Sequence, residues 1–249
     1  MRRFFINDSI SERTEDGSIV LRGSDVNHIL NVLRFRIGDN LIFCDSDGTE
    51  FVCELSDAGS DFVKCSVIEC KSNSTEPYAN VILIQGIAKG DKNELIIQKA
   101  VELGVCEIRM CSTDRTVVRF GSEKDEIKKN ERWNKISEEA SKQSGRGIIP
   151  AVAGPLKFKE AISVSDDYLR IIAYENETDT SLKDVLSEAH SQGVRNIAFI
   201  VGPEGGISPS EYSLAVESGY RSVSLGKRIL RTETAGLALL SSVRYEYED

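Results

Sequence analysis

Three apolar runs in the second part of the chain constrain its fold most strongly. VILIQG at residues 81–86 forms a short apolar strand, while LRIIAYE at residues 169–175 and NIAFIVG at residues 196–202 are almost continuously apolar. Runs of this kind are typical of strands that are buried on both faces of a parallel sheet. Helical segments lie between them, so the sequence predicts an α/β domain with helices on both faces of the sheet.

Several of these helices have recognisable ends. Asp91 and Glu94 resemble a capping box at the start of the first helix, and Gly104 is placed to end it. A long helix is predicted over residues 124–144, and a further one ends near Gly193. In parallel sheets ligands bind beyond the carboxyl ends of the strands, so the loops that follow the apolar runs are the expected binding loops.

The first 70 residues have a different pattern. Short alternating or β-rich segments are separated by turn sequences, and one helix is indicated by apolar residues at helical spacing between Val26 and Leu33. This predicts a small β-barrel with one helix. The polar stretch at residues 71–77 is interpreted as a boundary that divides the chain into domains of residues 1–72 and 73–249. The predicted strands lie at residues 3–6, 18–21, 40–44, 49–55 and 62–68.

Composition excludes several classes of protein. Of the 249 residues, 40% are hydrophobic and 29% are charged, as in ordinary soluble globular proteins. No apolar run is long enough to cross a bilayer and no signal peptide is recognised, so we expect a cytoplasmic protein without a membrane partner. Two histidines, His28 and His190, leave little for a histidine-based metal site, and we expect no metal. The six cysteines form no C-x-x-C pair and are predicted to be reduced, mostly buried thiols.

Basic residues gather beside glycines or strand ends in an otherwise acidic chain. The net charge of −9 argues against indiscriminate coating of nucleic acid. Any one cluster is explained as solvated surface, but four of them favour a shared anionic partner. The clusters are IAKGDKNE, DRTVVRF, SKQSGRG and GKRILR.

The glycine-rich loop GPEGGI follows the strand at residues 196–202. Ser208 is placed as the N-cap of the next helix, with Pro209 at its first position and Glu211 completing a capping box. A phosphate loop would carry a lysine followed by serine or threonine, whereas this loop carries Glu204, which repels polyphosphate. The dinucleotide motif G-x-G-x-x-G is also missing from the loop. The glycines therefore indicate a ligand held by backbone groups rather than a phosphate cradle.

The segment SVSLGKRILRTETAGLALLSS follows about twenty residues later. It predicts a short strand at residues 222–225, a basic loop at residues 226–231, and an apolar helix that Thr232 caps and whose first turn holds Glu233. A capped core helix with exposed arginines would explain the same pattern.

Together, these two segments carry a resemblance to a known family. GPEGGIS followed by LGKRILRTETA resembles the C-terminal signature of the RsmE-type 16S rRNA uracil N3-methyltransferases, within the SPOUT superfamily of knotted methyltransferases. HILNVLRFRIGD, KGDKNELIIQKAVELGV and RWNKISEEASKQSGR resemble other blocks of that family, in the same order and with the right gaps. The similarity covers nearly the whole chain.

The resemblance implies a deep trefoil knot that binds S-adenosylmethionine, with a PUA-like RNA-binding barrel before it. The adenosine would be held by backbone groups of three loops, with aliphatic side chains as walls. The residues implied in cofactor binding are Tyr174, Glu175, Val201, Gly202, Gly206, Leu225, Gly226, Ile229 and Leu230.

The resemblance also implies roles in catalysis and RNA binding. Arg231 is the expected cation that stabilises the uracil anion, and Glu204 or Glu233 is the expected base or an organiser of it. The substrate would be 16S rRNA, within the small ribosomal subunit, and the enzyme a homodimer. A SPOUT methyltransferase for another rRNA or tRNA nucleotide and a non-catalytic RNA-binding assembly protein are the alternatives. The candidate RNA contacts are Arg2, Arg3, Arg34, Arg36, Lys89, Lys92, Arg115, Arg119 and Arg146.

Overall fold

The structure, a computed structural model, describes residues 1–7, 11–13, 16–45 and 47–248. The chain forms two compact units. The first consists of Met1–Glu76 with Ser141–Ile148, and the second of Pro77–Ala140 with Ile149–Asp249.

The first unit is built on a mixed six-stranded sheet with the order β1-β4-β5-β6-β3-β2, in which only the β1–β4 pair is parallel among the described strands. The two long central strands shift register between Val52 and Cys53 and between Leu55 and Asp57, and such bulges bend a sheet. The elements are β1 (Arg2–Phe5), β2 (Ser11–Arg13), β3 (Ser18–Arg22), α1 (Ser24–Asn27), which continues as a π-helical turn (His28–Val32), β4 (Asn40–Cys44), β5 (Thr49–Ala58) and β6 (Phe62–Ser72).

The predicted β-barrel with one helix corresponds to a bent six-stranded sheet packed against a single helical segment. Val26 and Ile29 from the helical segment are fully buried against sheet residues such as Leu41 and Phe43. Each predicted strand is present, and β5 and β6 extend beyond their predicted ends. The short strand β2 was not predicted.

The second unit contains a six-stranded sheet in which all strands are parallel, with the order β12-β10-β11-β7-β8-β9. The predicted parallel α/β fold is therefore confirmed. None of the helices in the described residues is both long and apolar enough to cross a bilayer. The elements are β7 (Asn80–Gly86), α2 (Lys92–Glu102), β8 (Glu107–Ser112), α3 (Glu123–Ser144), β9 (Ala151–Lys157), α4 (Phe158–Ala161), β10 (Leu169–Ala173), α5 (Leu182–Ser191), β11 (Asn196–Val201), α6 (Pro209–Glu217), β12 (Arg221–Val223) and α7 (Thr232–Tyr247).

Two separate cores explain why the central strands are apolar throughout. On β7, Val81 and Leu83 contribute to a core shared with α2, α3, α5 and α7, whereas Ile82 and Ile84 contribute to a core shared with α4 and α6. Successive side chains of a strand point to opposite faces, so a strand covered on both sides has no polar positions to spare.

Three details differ from the sequence prediction. Helix α7 begins at Thr232, so Arg231 occupies the N-cap position and the Thr232 hydroxyl is used elsewhere. Asp91 occupies the N-cap of α2 without a side-chain cap bond, and the Glu94 carboxylate pairs with Arg132 rather than with the N-cap amide. Strand β9 was not predicted, since it contains glycine and proline; it lies at the sheet edge, where proline is tolerated.

The end of the chain returns past the loop that follows β10. Beside this loop, the Tyr174 amide donates to Val223 and the Ser224 amide donates to Thr180, with N···O distances of 3.2 and 2.8 Å. From β12 at the sheet edge, the chain then crosses to place α7 against α2 and over β7 and β11. Such a crossing of C-terminal segments is the arrangement that a trefoil knot requires.

Candidate functional site

A cavity of about 870 Å³ lies where the chain leaves β10, β11 and β12. It is therefore at the carboxyl edge of the parallel sheet, where α/β proteins bind ligands. The structure brings to this one cavity every residue that the resemblance implied for the cofactor, namely Tyr174, Glu175, Val201, Gly202, Gly206, Leu225, Gly226, Ile229 and Leu230.

The loop after β11 folds tightly upon itself. A β-carbon on Gly202 would lie 3.0 Å from the carbonyl carbon of Gly206, so no larger residue fits there without a shift. Gly206 has φ +72°, in the left-handed region, and its amide donates to the Pro203 carbonyl at 2.9 Å. The glycines thus allow this loop's own backbone segments to approach each other and Gly206 to take a positive φ, whereas contact of the loop with a ligand stays a prediction.

Helix α6 holds the far end of this loop. The predicted capping box is confirmed: Ser208 accepts from the Glu211 amide, and the Glu211 carboxylate accepts from the Ser208 amide. The Ser208 hydroxyl also donates to Asp114 at 2.6 Å, and Arg115 donates to the Gly205 carbonyl at 2.9 Å. The segment after β8 therefore supports the loop from outside the cavity, a role that the sequence analysis did not identify for Asp114.

The loop after β10 is fixed by a turn and an aromatic pair. Tyr174 stacks on Tyr212 with ring centroids 4.2 Å apart. The Tyr174 carbonyl accepts a hydrogen bond from the Glu177 amide at 3.1 Å. The Glu177 carboxylate in turn accepts from the amides of Asp179 and Thr180, which lowers its pKa. This loop is ordered by its own hydrogen bonds.

The loop after β12 offers backbone donors and apolar surface. Leu225 and Leu230 pack partly against the core, whereas Ile229 is 90% exposed at the rim, more open than a buried wall would be. Gly226 has φ +101° with open space beside it. In the described part of the chain, the amides of Leu225, Ile229 and Leu230 make no hydrogen bond, which leaves them available to a ligand.

A buried hydrogen-bond chain joins the loop after β11 to α7. The Thr232 hydroxyl donates to the Gly202 carbonyl at 2.6 Å and accepts from the Gln85 side-chain amide at 2.8 Å. Gln85 is fully buried at the end of β7. Gln85 was not predicted as part of the site, although a glutamine inside the apolar run VILIQG indicates a buried polar contact.

Lys92, predicted as an RNA contact, lies instead among the predicted catalytic groups. Its ammonium is 3.1 Å from Glu204 Oε1 and 3.2 Å from Glu233 Oε2. Its pKa is raised by the hydrogen bonds to Glu204 and then to Glu233, so it stays protonated. Arg231 also lines the cavity, is exposed, and forms no ion pair with the described residues.

Glu204 is a poor candidate for a base in this arrangement. Partial burial acts to raise its pKa, but hydrogen bonds from its own amide, the Lys89 amide and the Lys92 ammonium outweigh burial, and the net pKa is lowered. A carboxylate with a lowered pKa takes up a proton less readily.

Two of the predicted RNA-binding arginines have internal partners. Arg3 forms a 2.6 Å ion pair with Glu50, and Arg146, which is 4% exposed, forms a 2.7 Å ion pair with Glu76. Both guanidinium groups are engaged in holding the first unit together, so their surroundings do not favour RNA contact. The remaining predicted cations are exposed: Arg2, Arg34, Arg36, Lys89, Arg115 and Arg119.

Comparison with known protein families agrees with this architecture. Residues 74–244 match the model of an RNA methyltransferase domain, and residues 21–68 match that of an RNA methyltransferase PUA domain. Both matches describe one class of protein, an RNA methyltransferase with a PUA domain.

Full-length relatives define the family. The chain is 36% identical over 251 residues to a ribosomal RNA small subunit methyltransferase E of Bacillus subtilis, covering 100% of this chain and 98% of the relative. It is 30% identical to the protein of the same name from Aquifex aeolicus, covering 93% and 96%. The chain belongs to the ribosomal RNA small subunit methyltransferase E family, which confirms the resemblance found in the sequence.

Solved structures show the same fold. The chain is similar to a ribosomal RNA small subunit methyltransferase E from Neisseria gonorrhoeae bound to S-adenosyl methionine, with a TM-score of 0.84 at 32% identity over 99% of this chain and 98% of that one. It is also similar to a putative methyltransferase from Legionella pneumophila in complex with the bound cofactor SAM, with a TM-score of 0.84 at 28% identity over 98% and 96%.

Proposed function

We propose that the protein transfers the methyl group of S-adenosylmethionine to N3 of a uridine in 16S rRNA of the small ribosomal subunit. The observation that carries this proposal is the single cavity formed by the three loops that the resemblance implied, in a family whose members act on small-subunit ribosomal RNA.

The cavity suits S-adenosylmethionine, which supplies an electrophilic methyl group when bound. The unengaged amides of Leu225, Ile229 and Leu230 can read the adenine edge, and Leu225 and Leu230 offer aliphatic surface to the ring. The tight turn at Gly202 and Gly206 brings backbone to the wall of the cavity without side chains that would fill it. A site of this kind holds its ligand mainly by position, and positioning contributes on the order of 7 to 11 kcal/mol to a bimolecular reaction.

Lys92 and Arg231 are the cations placed to stabilise an anionic uracil. The N3 position must lose its proton to become a good nucleophile, and a fixed positive charge favours the anion. Two of the three N–H donors of Lys92 face Glu204 and Glu233, which leaves the third N–H free to contact the uracil ring. Arg231, at the start of α7, reaches the same cavity.

Glu204 and Glu233 act as organisers of Lys92 in this proposal. Both carboxylates are engaged by the same ammonium, and the pKa of Glu204 is lowered. The uracil proton therefore passes to solvent rather than to Glu204.

RNA recognition is divided between the two parts of the chain. In our proposal, residues 1–72 form the PUA-like RNA-binding domain and residues 73–249 the methyltransferase domain. The exposed cations Arg2, Arg34 and Arg36 contact RNA phosphates from the first domain, and Lys89, Arg115 and Arg119 from the second. The protein works as a cytoplasmic homodimer, where the small subunit is assembled.

Two measurements test the proposed function. Calorimetry with S-adenosylmethionine should show binding to the purified protein, and its failure at millimolar ligand would favour a non-catalytic RNA-binding role. Nucleoside analysis of small-subunit rRNA from cells lacking the gene should show loss of N3-methyluridine. Persistence of that nucleoside at its normal level would exclude the proposed substrate.

A further inference from the structure

Four carboxylates line the cavity, and three of them are satisfied within the chain. Glu204 pairs with Lys92, Glu177 accepts two backbone amides at 2.9 and 3.1 Å, and Asp179 accepts the hydroxyl of the preceding threonine at 3.1 Å. In the part of the chain that the structure describes, no hydrogen bond or ion pair engages the fourth, Glu175.

The position of Glu175 is set by the elements on each side of it. It lies at the tip of the turn that the hydrogen bond from Glu177 to Tyr174 closes, and the stack of Tyr174 on Tyr212 holds the start of that turn. Its two carboxylate oxygens lie 3.0 and 3.2 Å from the point that a β-carbon on Gly206 would occupy. Glu175 is exposed, and its carboxylate lies at the cavity against the glycine loop without an internal partner among the described residues.

Resting on the proposed function, we infer that Glu175 is the counter-charge that makes this cavity select a positively charged adenosine derivative over neutral or phosphorylated ones. Backbone amides and aliphatic walls recognise adenosine as such, and so they do not distinguish S-adenosylmethionine from other adenosine compounds. S-adenosylmethionine carries a sulfonium, an ammonium and one carboxylate, so its net charge is positive and an unpaired carboxylate beside its cationic groups attracts it, whereas the same carboxylate repels a polyphosphate. The selection thus combines attraction of the correct ligand with repulsion of the wrong ones.

The test compares ligands that differ in charge. Calorimetry would measure the dissociation constants of S-adenosylmethionine and of neutral 5′-methylthioadenosine for the wild-type chain and for Glu175→Gln. The control is Glu217→Gln, which removes one exposed negative charge from α6 outside the cavity. We expect Glu175→Gln to raise the dissociation constant of S-adenosylmethionine about tenfold and to change that of 5′-methylthioadenosine by no more than about twofold. This is the effect expected from losing one partly screened charge-assisted contact.

Two results would overturn the inference. Unchanged affinity of Glu175→Gln for S-adenosylmethionine would show that the carboxylate does not face the ligand's charge. An equal loss for both ligands would show a change in loop structure and not in charge. Failure of the wild-type chain to bind S-adenosylmethionine would instead contradict the proposed function itself.

Discussion

At the edge of the cavity, the Lys92 ammonium lies between the carboxylates of Glu204 and Glu233. A single lysine side chain is flexible and costs entropy to order, so two acceptors at 3.1 and 3.2 Å restrict where its charge can go. The pair of carboxylates and the ammonium form one ionic cluster. Arg231, which has no such partners among the described residues, adds an exposed, unpaired charge to the same cavity.

Lys92→Gln should lower single-turnover methylation by about a hundredfold, the usual cost of removing one group that stabilises a developing anion. Its affinity for S-adenosylmethionine should stay near the wild-type value, because the backbone groups of the cavity are intact. Lys92→Arg should restore part of the rate. The matched control is Lys99→Gln on the same helix, whose lysine pairs with Glu102 outside the cavity. Equal rates for wild type and Lys92→Gln would remove Lys92 from the mechanism.

The buried cysteines should make the free energy of unfolding depend on pH. Burial raises the pKa of Cys53, Cys65 and Cys111 from 9.0 to about 12, whereas the Cys70 thiol is exposed. Four of the six cysteines are buried and all six are free, in agreement with the prediction of reduced, mostly buried thiols. Because the folded pKa exceeds the unfolded one, the stability from keeping these thiols neutral is complete below pH 9.0 and is lost as the pH rises toward 12.

A thiol reagent at pH 8 should therefore modify Cys70 rapidly in the folded protein and the half-buried Cys106 more slowly. In denaturant all six cysteines should react, which serves as the internal control. Urea titrations should give a falling free energy of unfolding above about pH 9. Rapid modification of more than two thiols at pH 8 would contradict the buried positions of the others.

At the scale of elements, local chemistry predicted some helix ends and not others. The capping box at Ser208 was recognisable because both of its partners lie within four residues of each other, and the structure confirms it. Thr232 was expected to cap α7, but its hydroxyl bonds Gly202 and Gln85, which are distant in sequence. When a competing partner comes from another element, local sequence contains no trace of the competition.

The glycine loop gives a prediction with a matched control. Gly206→Ala and Gly193→Ala each place a side chain at a left-handed position, with φ of +72° and +71°, and should each cost about 1 kcal/mol of stability in urea titrations. A β-carbon at Gly193 meets nothing within 4 Å, whereas one at Gly206 would lie 3.0 Å from Glu175 inside the cavity. Only Gly206→Ala should therefore weaken the binding of S-adenosylmethionine, with a dissociation constant about tenfold higher in calorimetry. Equal affinities for the two variants would show that Gly206 does not face the ligand.

At the scale of the whole molecule, we expect a homodimer. This expectation is what the resemblance to the knotted methyltransferases implies, and Tyr245 near the end of α7, which is 88% exposed, is the residue chosen to test it. Sedimentation equilibrium at micromolar concentration should give twice the chain mass of 27.5 kDa. Tyr245→Glu should weaken association if the end of α7 lies in the interface, and Tyr78→Glu, an exposed tyrosine before β7, is the control. A single-subunit mass for the wild-type chain would contradict the dimer.

The sequence by itself determined the class of both units and indicated the two glycine-containing loops that the structure brings to one cavity. Strands covered on both faces must be apolar along their length, and tight turns with positive φ need glycine, so both features are written in local composition. The motifs GPEGGIS and LGKRILRTETA placed the two main loops of the cavity about twenty residues apart, and the structure brings them together.

Only the tertiary structure decided which charges face the cavity and which are used for folding. Arg146 and Arg115 both belong to basic clusters, yet the first is buried against Glu76 and the second is exposed beside Gly205. Likewise, Lys92 became part of the site through Glu233, which is far from it in sequence. The physical reason is that the energy of a charge depends on its burial and on partners within a few ångströms, and both arise from contacts that the fold creates.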